Sequence, residues 1–125
     1  EKEKLRKDID LHGLHVLLAE DNDLNAEIAM TLLSDYGFIL DHVNDGIACV
    51  KKVKENKYDL ILMDIQMPNM DGYQATKEIR KFSDIPIVAM SAQSEYAIDQ
   101  TIMNDSISKP IDEQKLNQIL SKYVA

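Results

Sequence analysis

The chain has 125 residues, which suits one domain of ordinary size, and 45% of them are hydrophobic. Its net charge of −8 argues against binding to a nucleic-acid backbone, which requires clustered Lys and Arg. A single cysteine, Cys49, excludes an internal disulfide, and no apolar run approaches the roughly 20 residues that span a membrane. We therefore expect a cytoplasmic domain that makes no direct membrane contact.

The first ten residues, EKEKLRKDID, carry eight charges, four of each sign. Such a charged run is typical of a linker, so residues 1–10 are predicted to connect the domain to a preceding region. The run is broken at His12 and Gly13, and a folded domain is predicted over residues 11–125.

Apolar runs then alternate with helical patterns along the chain. Strands are predicted at residues 16–19, 38–43, 60–63, 85–90 and 106–108. The first, third and fourth are almost continuously apolar, as in strands that a parallel sheet buries on both faces.

Helical patterns lie between these strands and after the last of them. Helices are predicted at residues 24–36, 46–56, 73–82 and 113–123. Leu24, Ile28 and Leu32 recur at steps of four, with Ala29, Leu33 and Tyr36 alongside, so we expect that face of the first helix to lie in the core. By the same spacing argument, we expect Ile47 of the second helix and Phe82 of the third to face the sheet.

Five strand–helix alternations in about 115 residues imply an open, doubly wound α/β sheet. The flavodoxin-like strand order 2-1-3-4-5, with five helices, is the common arrangement at this size. The fourth helix would lie between Ser91 and Lys109, and Asp112 is placed to cap the fifth.

Polar residues follow the strands at the edge where such sheets bind ligands, beyond the carboxyl ends. Glu20 and Asp21 follow the first strand, Asp64 the third and Ser91 the fourth, and the fifth leads into Lys109. Neighbouring carboxylates attract a cation, and their hard oxygen atoms suit Mg²⁺. With Lys109 and a hydroxyl group they would also hold a phosphoryl group, for which Asp64 is the candidate nucleophile.

Four segments occur in a specific order and spacing: LLAEDN at 17–22, LILMDIQMPNMDG at 60–72, IPIVAMSA at 85–92 and SKPID at 108–112. Through them the sequence resembles the CheY-like receiver domain of two-component response regulators, from about Leu11 to Ser121. The opening DLHGLHVLLAEDNDLN is most similar to receivers of hybrid sensor histidine kinases. The resemblance thus implies the cytoplasmic part of such a kinase, which can be membrane-bound.

The resemblance implies a role for each acidic residue. Asp64 would be phosphorylated by the phosphohistidine of a histidine kinase, and in a hybrid kinase an HPt domain would accept the phosphoryl group next. Asp21, Asp64 and the backbone carbonyl of Gln66 would bind Mg²⁺ directly, and Glu20 would bind it through water. The domain would catalyse its own phosphorylation and a slow hydrolysis.

The resemblance also implies that Ser91 and Lys109 contact the phosphoryl group, with a cis peptide bond between Lys109 and Pro110. The chain departs from the family between Ser91 and Lys109, where it is shorter than usual. Ser106 also stands where the family has an aromatic residue that moves with Ser91 on phosphorylation. A short fourth helix, another output mechanism and a gap in the sequence each explain the difference.

Two other functions are compatible with the same residues. A pseudo-receiver would keep the fold and act only as a docking surface. A phosphatase of the haloacid-dehalogenase type would also use Asp64 as nucleophile, but such enzymes usually have Asp-x-Asp, and here Gln66 holds the second position. In the receiver family, Leu24 and Ile28 lie on the surface that docks histidine partners, although their spacing predicts core residues here.

Overall fold

Five strands and four helices make up the part of the chain that the computed structural model describes, residues 13–91 and 102–123. The strands are β1 (His15–Ala19), β2 (Ile39–Val43), β3 (Leu60–Asp64), β4 (Ile87–Ser91) and β5 (Asp105–Ser108). The helices are α1 (Asp23–Ser34), α2 (Gly46–Glu55), α3 (Gly72–Arg80) and α4 (Glu113–Tyr123). Each predicted strand is present, with its ends shifted by one or two residues.

The helix count differs from the prediction of five. The additional helix was placed between Ser91 and Lys109, and residues 92–101 lie outside the described residues. The described α4 is therefore the helix that the sequence predicted fifth, and the Asp112 carboxylate accepts a hydrogen bond from the Lys115 N–H at its start, at 2.8 Å.

The strands form one parallel sheet in the order β2-β1-β3-β4-β5, which confirms the predicted topology. Pairing is in register along each ladder, with Asp64 opposite Met90 and Ser91 opposite Ser108 at the carboxyl edge. Because all strands point the same way, the residues that follow β1, β3, β4 and β5 emerge at one edge.

The core has two layers, one on each face of the sheet. Val16 and Leu18 of β1 pack into the layer with α1 and α4, whereas Leu17 and Ala19 pack into the layer with α2 and α3. Successive side chains of a strand point to opposite faces, so a strand covered on both sides must be apolar at every position. This explains the uninterrupted apolar runs in the sequence.

The predicted inner face of α1 was wrong at two positions, whereas Leu32 does pack against the core. Leu24 is 65% exposed and Ile28 is 42% exposed, whereas Ala26, Ala29 and Leu33 face the core. Both rows of residues satisfy helical spacing, and periodicity alone does not choose between them. The small alanines let the helix approach the sheet closely, and the larger Leu24 and Ile28 are left on the surface.

Ile47 and Phe82 were also misplaced. Ile47 in the first turn of α2 is 54% exposed, and Phe82, which follows α3, is 44% exposed with the Lys54 ammonium 5.7 Å from its ring centroid. Both lie at a helix end, where the packed face is already supplied by other residues. Within residues 13–91 and 102–123, none of the helices combines the length and apolar character that a membrane crossing requires.

Arg80, at the end of α3, joins the segments that precede β4 and β5. Its guanidinium donates to the carbonyls of Ile102 at 2.8 Å, Ser83 at 3.1 Å and Ile85 at 2.7 Å, and to Asn104 Oδ1 at 2.9 Å. A planar group with five N–H donors is required to satisfy acceptors in several directions.

Replacing Arg80 by Lys should therefore lower the free energy of unfolding by about 2 kcal/mol, because an ammonium leaves several partly buried carbonyls without a donor. Urea denaturation measures this change. Lys81→Gln is the matched control, because its ion pair with Glu78 is exposed on the surface and is worth about 0.5 kcal/mol or less. Equal stability losses in the two variants would contradict this role for Arg80.

Candidate functional site

Three carboxylates meet at the carboxyl edge of the sheet. Glu20 and Asp21 follow β1, and Asp64 is the last residue of the neighbouring β3. Each offers an oxygen atom, and these atoms lie within 4.8 Å of one another. The structure thus brings together the three acidic residues that the sequence placed at this edge.

Lys109 joins two of these carboxylates. Its Nζ lies 2.7 Å from Glu20 Oε1 and 3.3 Å from Asp64 Oδ1. Glu20 is only 2% exposed, and its other oxygen accepts a hydrogen bond from the Asn22 N–H at 3.1 Å. Since burial of a carboxylate is costly without a charged or hydrogen-bonded partner, Lys109 and Asn22 make the buried position of Glu20 tolerable.

The backbone of β4 places Lys109 at the cluster. The Lys109 N–H donates to the Ser91 carbonyl at 2.7 Å, immediately after the last paired residues of β4 and β5. The peptide bond between Lys109 and Pro110 is cis, as the resemblance implied. Ser91 itself is buried at the end of β4.

The charges of the cluster do not cancel. When all are ionised, three carboxylates and one ammonium leave two negative charges in excess. Burial, the hydrogen bond with Glu20 and the charge of Glu20 together raise the pKa of Asp64 to about 7, and the Lys109 ammonium opposes this rise. The ionised form of Asp64 is therefore disfavoured in the folded protein when no cation is bound.

Gln66 and the loop after β3 form one wall of the site. The Gln66 N–H donates to Asp64 Oδ1 at 3.3 Å, and an open cleft of about 590 Å³ lies between Asp21 and the 65–71 loop. Gly72 begins α3 against the back of Asp64, where a Cβ atom would stand 2.4 Å from the Asp64 carbonyl oxygen. Only glycine permits this close approach.

Residues 16–121 match the response regulator receiver domain family. The chain is a member of that family. It is 38% identical over 117 residues to the transcription factor SKN7 of Saccharomyces cerevisiae, covering 90% of this chain and 19% of that protein. It is 41% identical over 128 residues to hybrid signal transduction histidine kinase B of Dictyostelium discoideum, covering 87% of this chain and 6% of that protein.

A solved receiver domain has the same fold. The receiver domain of the sensor histidine kinase PA1611 from Pseudomonas aeruginosa, which has a magnesium ion coordinated in its active site cleft, matches with a TM-score of 0.81 and 35% identity. The match covers 89% of this chain and 97% of that one. The curated relatives are much longer, and the chain spans less than a quarter of the length of those it matches.

The acidic cluster of this receiver domain fits a hard divalent cation. Its donors are carboxylate oxygens, which Mg²⁺ prefers, and the excess of two negative charges equals the charge of one such ion. Gln66 lies beside Asp64 through its N–H, and the metal-binding role of its carbonyl stays a prediction. Ser106 is exposed on the edge strand β5, opposite Ala89, and its N–H donates to Asp105 rather than to any group of the cluster.

Sequence reasoning missed the residues that brace the loops of the receiver site. Asn69 has a positive φ of 68° and donates to the Asp45 carboxylate at 2.9 Å. The same carboxylate caps α2 by accepting from the Ala48 N–H at 2.7 Å. The only sequence signal was that Asn tolerates this backbone conformation, because the pairing itself joins residues far apart in the chain.

Asp64→Asn should raise the free energy of unfolding at pH 8, without added Mg²⁺, by about 1 to 2 kcal/mol. Folding raises the pKa of this carboxyl from 3.8 to about 7, so its ionised form disfavours the folded state. The gain should be full above pH 7 and should disappear as the pH falls toward 4.

Urea denaturation at pH 8 and near pH 4 measures both parts of this prediction. Asp23→Asn, at an exposed position in the first turn of α1, is the control and should change stability by about 0.5 kcal/mol or less. A destabilised Asp64→Asn variant at pH 8 would show that the ionised carboxylate is well accommodated after all.

Proposed function

We propose that this receiver domain takes a phosphoryl group from a phosphohistidine onto Asp64 in a Mg²⁺-dependent reaction. The observation that carries the proposal is the Lys109 ammonium bonded to both Glu20 and Asp64, beside the Asp21 carboxylate. Three carboxylates and one ammonium are thereby held together at the carboxyl edge of the sheet, with negative charge in excess. Phosphoryl transfer needs such positioning and charge stabilisation more than it needs further covalent chemistry.

Asp21, Asp64 and the backbone carbonyl of Gln66 would hold Mg²⁺, and Glu20 would contribute through water. The bound ion would supply charge neutralisation for the phosphoryl oxygens. Support comes from the clustered carboxylate oxygens of this chain and from the magnesium ion in the related PA1611 receiver.

The residues of the chain would share the work of transfer. An Asp64 carboxylate oxygen forms the new bond to phosphorus while the bond from phosphorus to the imidazole nitrogen breaks, and that bonding pair stays with the imidazole. Lys109 would neutralise charge on the phosphoryl oxygens, and the Ser91 hydroxyl would donate a hydrogen bond to one of them. The acyl phosphate so formed would bias the positions of Ser91 and Lys109, which is the signal.

Incubation with acetyl phosphate and Mg²⁺ should attach one phosphoryl group to Asp64, detectable by intact-protein mass spectrometry. The Asp64→Asn variant and chelation of Mg²⁺ should each abolish labelling. Lys109→Ala should slow it by about a hundredfold, because it removes the cation that faces the transferred group. A folded wild-type protein that remains unlabelled would favour a pseudo-receiver that acts only by docking.

The same preparation tests the alternative of an Asp-nucleophile phosphatase. The second acidic residue of such enzymes is replaced by the exposed Gln66, so hydrolysis of p-nitrophenyl phosphate should not exceed that of Asp64→Asn. Turnover well above that variant would overturn the receiver mechanism.

We propose further that the exposed face of α1 docks the phosphohistidine domain, whether a kinase domain or an HPt domain. Leu24 and Ile28 are exposed apolar residues on a helix that begins two residues after Asp21. A partner seated on this face would therefore lie beside the acidic cluster. Exposed apolar side chains next to a reactive site are a common basis for partner recognition.

Ile28→Lys should reduce phosphotransfer from a phosphorylated HPt domain by about tenfold, because it places a charge in an apolar contact. Labelling by acetyl phosphate should not change, since that small donor needs no docking surface. Ile39→Lys is the matched control, because Ile39 is also exposed but lies on the edge strand β2. Equal losses in both variants would argue against docking on α1.

The parent protein is also part of the proposal. We infer that residues 1–10 are a charged linker and residues 11–125 a receiver within a hybrid sensor histidine kinase. The relatives in Dictyostelium discoideum and Pseudomonas aeruginosa support a kinase parent, whereas SKN7 is a transcription factor. A kinase core encoded before residue 1 would support the inference, and its absence from the full reading frame would overturn it.

A further inference from the structure

Lys115 reaches from α4 back to the loop that carries Lys109. Its ammonium donates to the Ser108 carbonyl at 3.3 Å and to the Pro110 carbonyl at 3.1 Å. These two acceptors belong to the residues on either side of Lys109. Lys115 therefore clamps the loop at both flanks of the lysine that pairs with Glu20 and Asp64.

The base of this clamp is fixed. The Lys115 N–H donates to Asp112, which caps α4, and the next residue, Leu116, is buried in the core layer between the sheet and α1. The Lys115 side chain is itself partly buried. Because both its backbone N–H and its ammonium are hydrogen-bonded, Lys115 connects α4 to the loop at a fixed distance and is not a free surface charge.

The carbonyls of Ser108 and Pro110 take these hydrogen bonds from a donor outside the 108–110 loop. The Lys109 N–H is already bonded to the Ser91 carbonyl at 2.7 Å, and Pro110 has no N–H to offer. A main-chain hydrogen bond thus holds Lys109 to β4. The Lys115 ammonium, which belongs to α4, holds the carbonyls of Ser108 and Pro110.

We propose that Lys115 is a positioning residue for phosphoryl transfer, which holds the Lys109 ammonium between Glu20 and Asp64 by clamping the 108–110 loop. Its effect on the reaction rests on the proposed function, whereas its effect on the geometry of Lys109 does not. The two can therefore be tested separately.

The geometric arm uses NMR of the ¹⁵N-labelled domain without any phosphoryl donor. The Lys109 ammonium is mostly buried between two carboxylates, so its proton–nitrogen signal should be observable at low temperature in the wild type. Lys115→Met and Lys115→Gln should broaden or shift that signal. Lys115→Arg, which keeps a charged donor, should leave the signal as it is in the wild type. An unchanged Lys109 signal in the Met and Gln variants would overturn the proposal.

Lys122→Met is the matched control. Lys122 lies on the same helix and pairs with Asp105 at 3.0 Å, at the opposite end of β5 from Lys109. Its loss removes a lysine and an ion pair from α4 without touching the 108–110 loop. A Lys109 signal that is disturbed equally by Lys122→Met would overturn the proposal, because general loosening of α4 would then explain both results.

The kinetic experiment measures the rate of labelling by acetyl phosphate over a range of Mg²⁺ concentrations up to saturation. Lys115→Met should lower the maximal rate by about tenfold and leave the half-saturating Mg²⁺ concentration within about twofold, because the carboxylates are not displaced. In the Lys109→Met background the same substitution should have no further effect. Additive losses would show that Lys115 acts independently of Lys109 and would overturn the proposal.

The two arms separate the two levels of inference. A wild type that shows the Lys109 signal but takes no label would refute the proposed function, and the NMR result would still decide the clamp. A wild type that is labelled as fast as Lys115→Met would retain the proposed function and remove the role of Lys115.

Discussion

The placement of one ammonium among three carboxylates is the interaction on which the rest of the structure depends. Glu20 and Asp64 are buried, and burial of that much negative charge is tolerated chiefly because Lys109 lies between them. The compensation is incomplete, because burial and the neighbouring Glu20 still raise the pKa of Asp64 against the effect of Lys109. The negative charge left in excess is what suits the cluster to a divalent cation.

The sheet supplies the rigidity that this cluster requires. β3 is central and apolar on both faces, so two core layers hold its last residue, Asp64, at a fixed point. The loop that follows is fixed at its end by the close contact of Gly72 with the Asp64 carbonyl, and within its length by the bond from Asn69 to Asp45. Side chains on such a scaffold can hold their positions without rearrangement, which is the main requirement of the proposed phosphoryl transfer.

Features that depend on burial and on the direction of the strands were predictable from the sequence, whereas features that depend on tertiary packing were not. The strand order and the convergence of Glu20, Asp21 and Asp64 followed from apolar runs that each end in polar residues, because parallel strands present their carboxyl ends together. Leu24 and Ile28 of α1 were predicted wrongly to lie in the core, because a row of residues through Leu24 fits a helical period as well as the row through Ala29 does. Contacts such as Lys115 to the loop carbonyls leave no periodic signal at all.

The edge strand β5 shows how a weak element can carry an important residue. It has only four residues, DSIS, of which Ile107 alone is a buried apolar side chain. Packing of so short a strand gives little stability, so its position depends on its pairing with β4 and on side chains that bond to the backbone at each end. Arg80 and Asn104 fix its start to α3 and β4, and Lys115 fixes its end to α4. Because Lys109 follows β5 directly, the placement of this short strand determines where the Lys109 ammonium lies and how far it compensates the charge of Asp64.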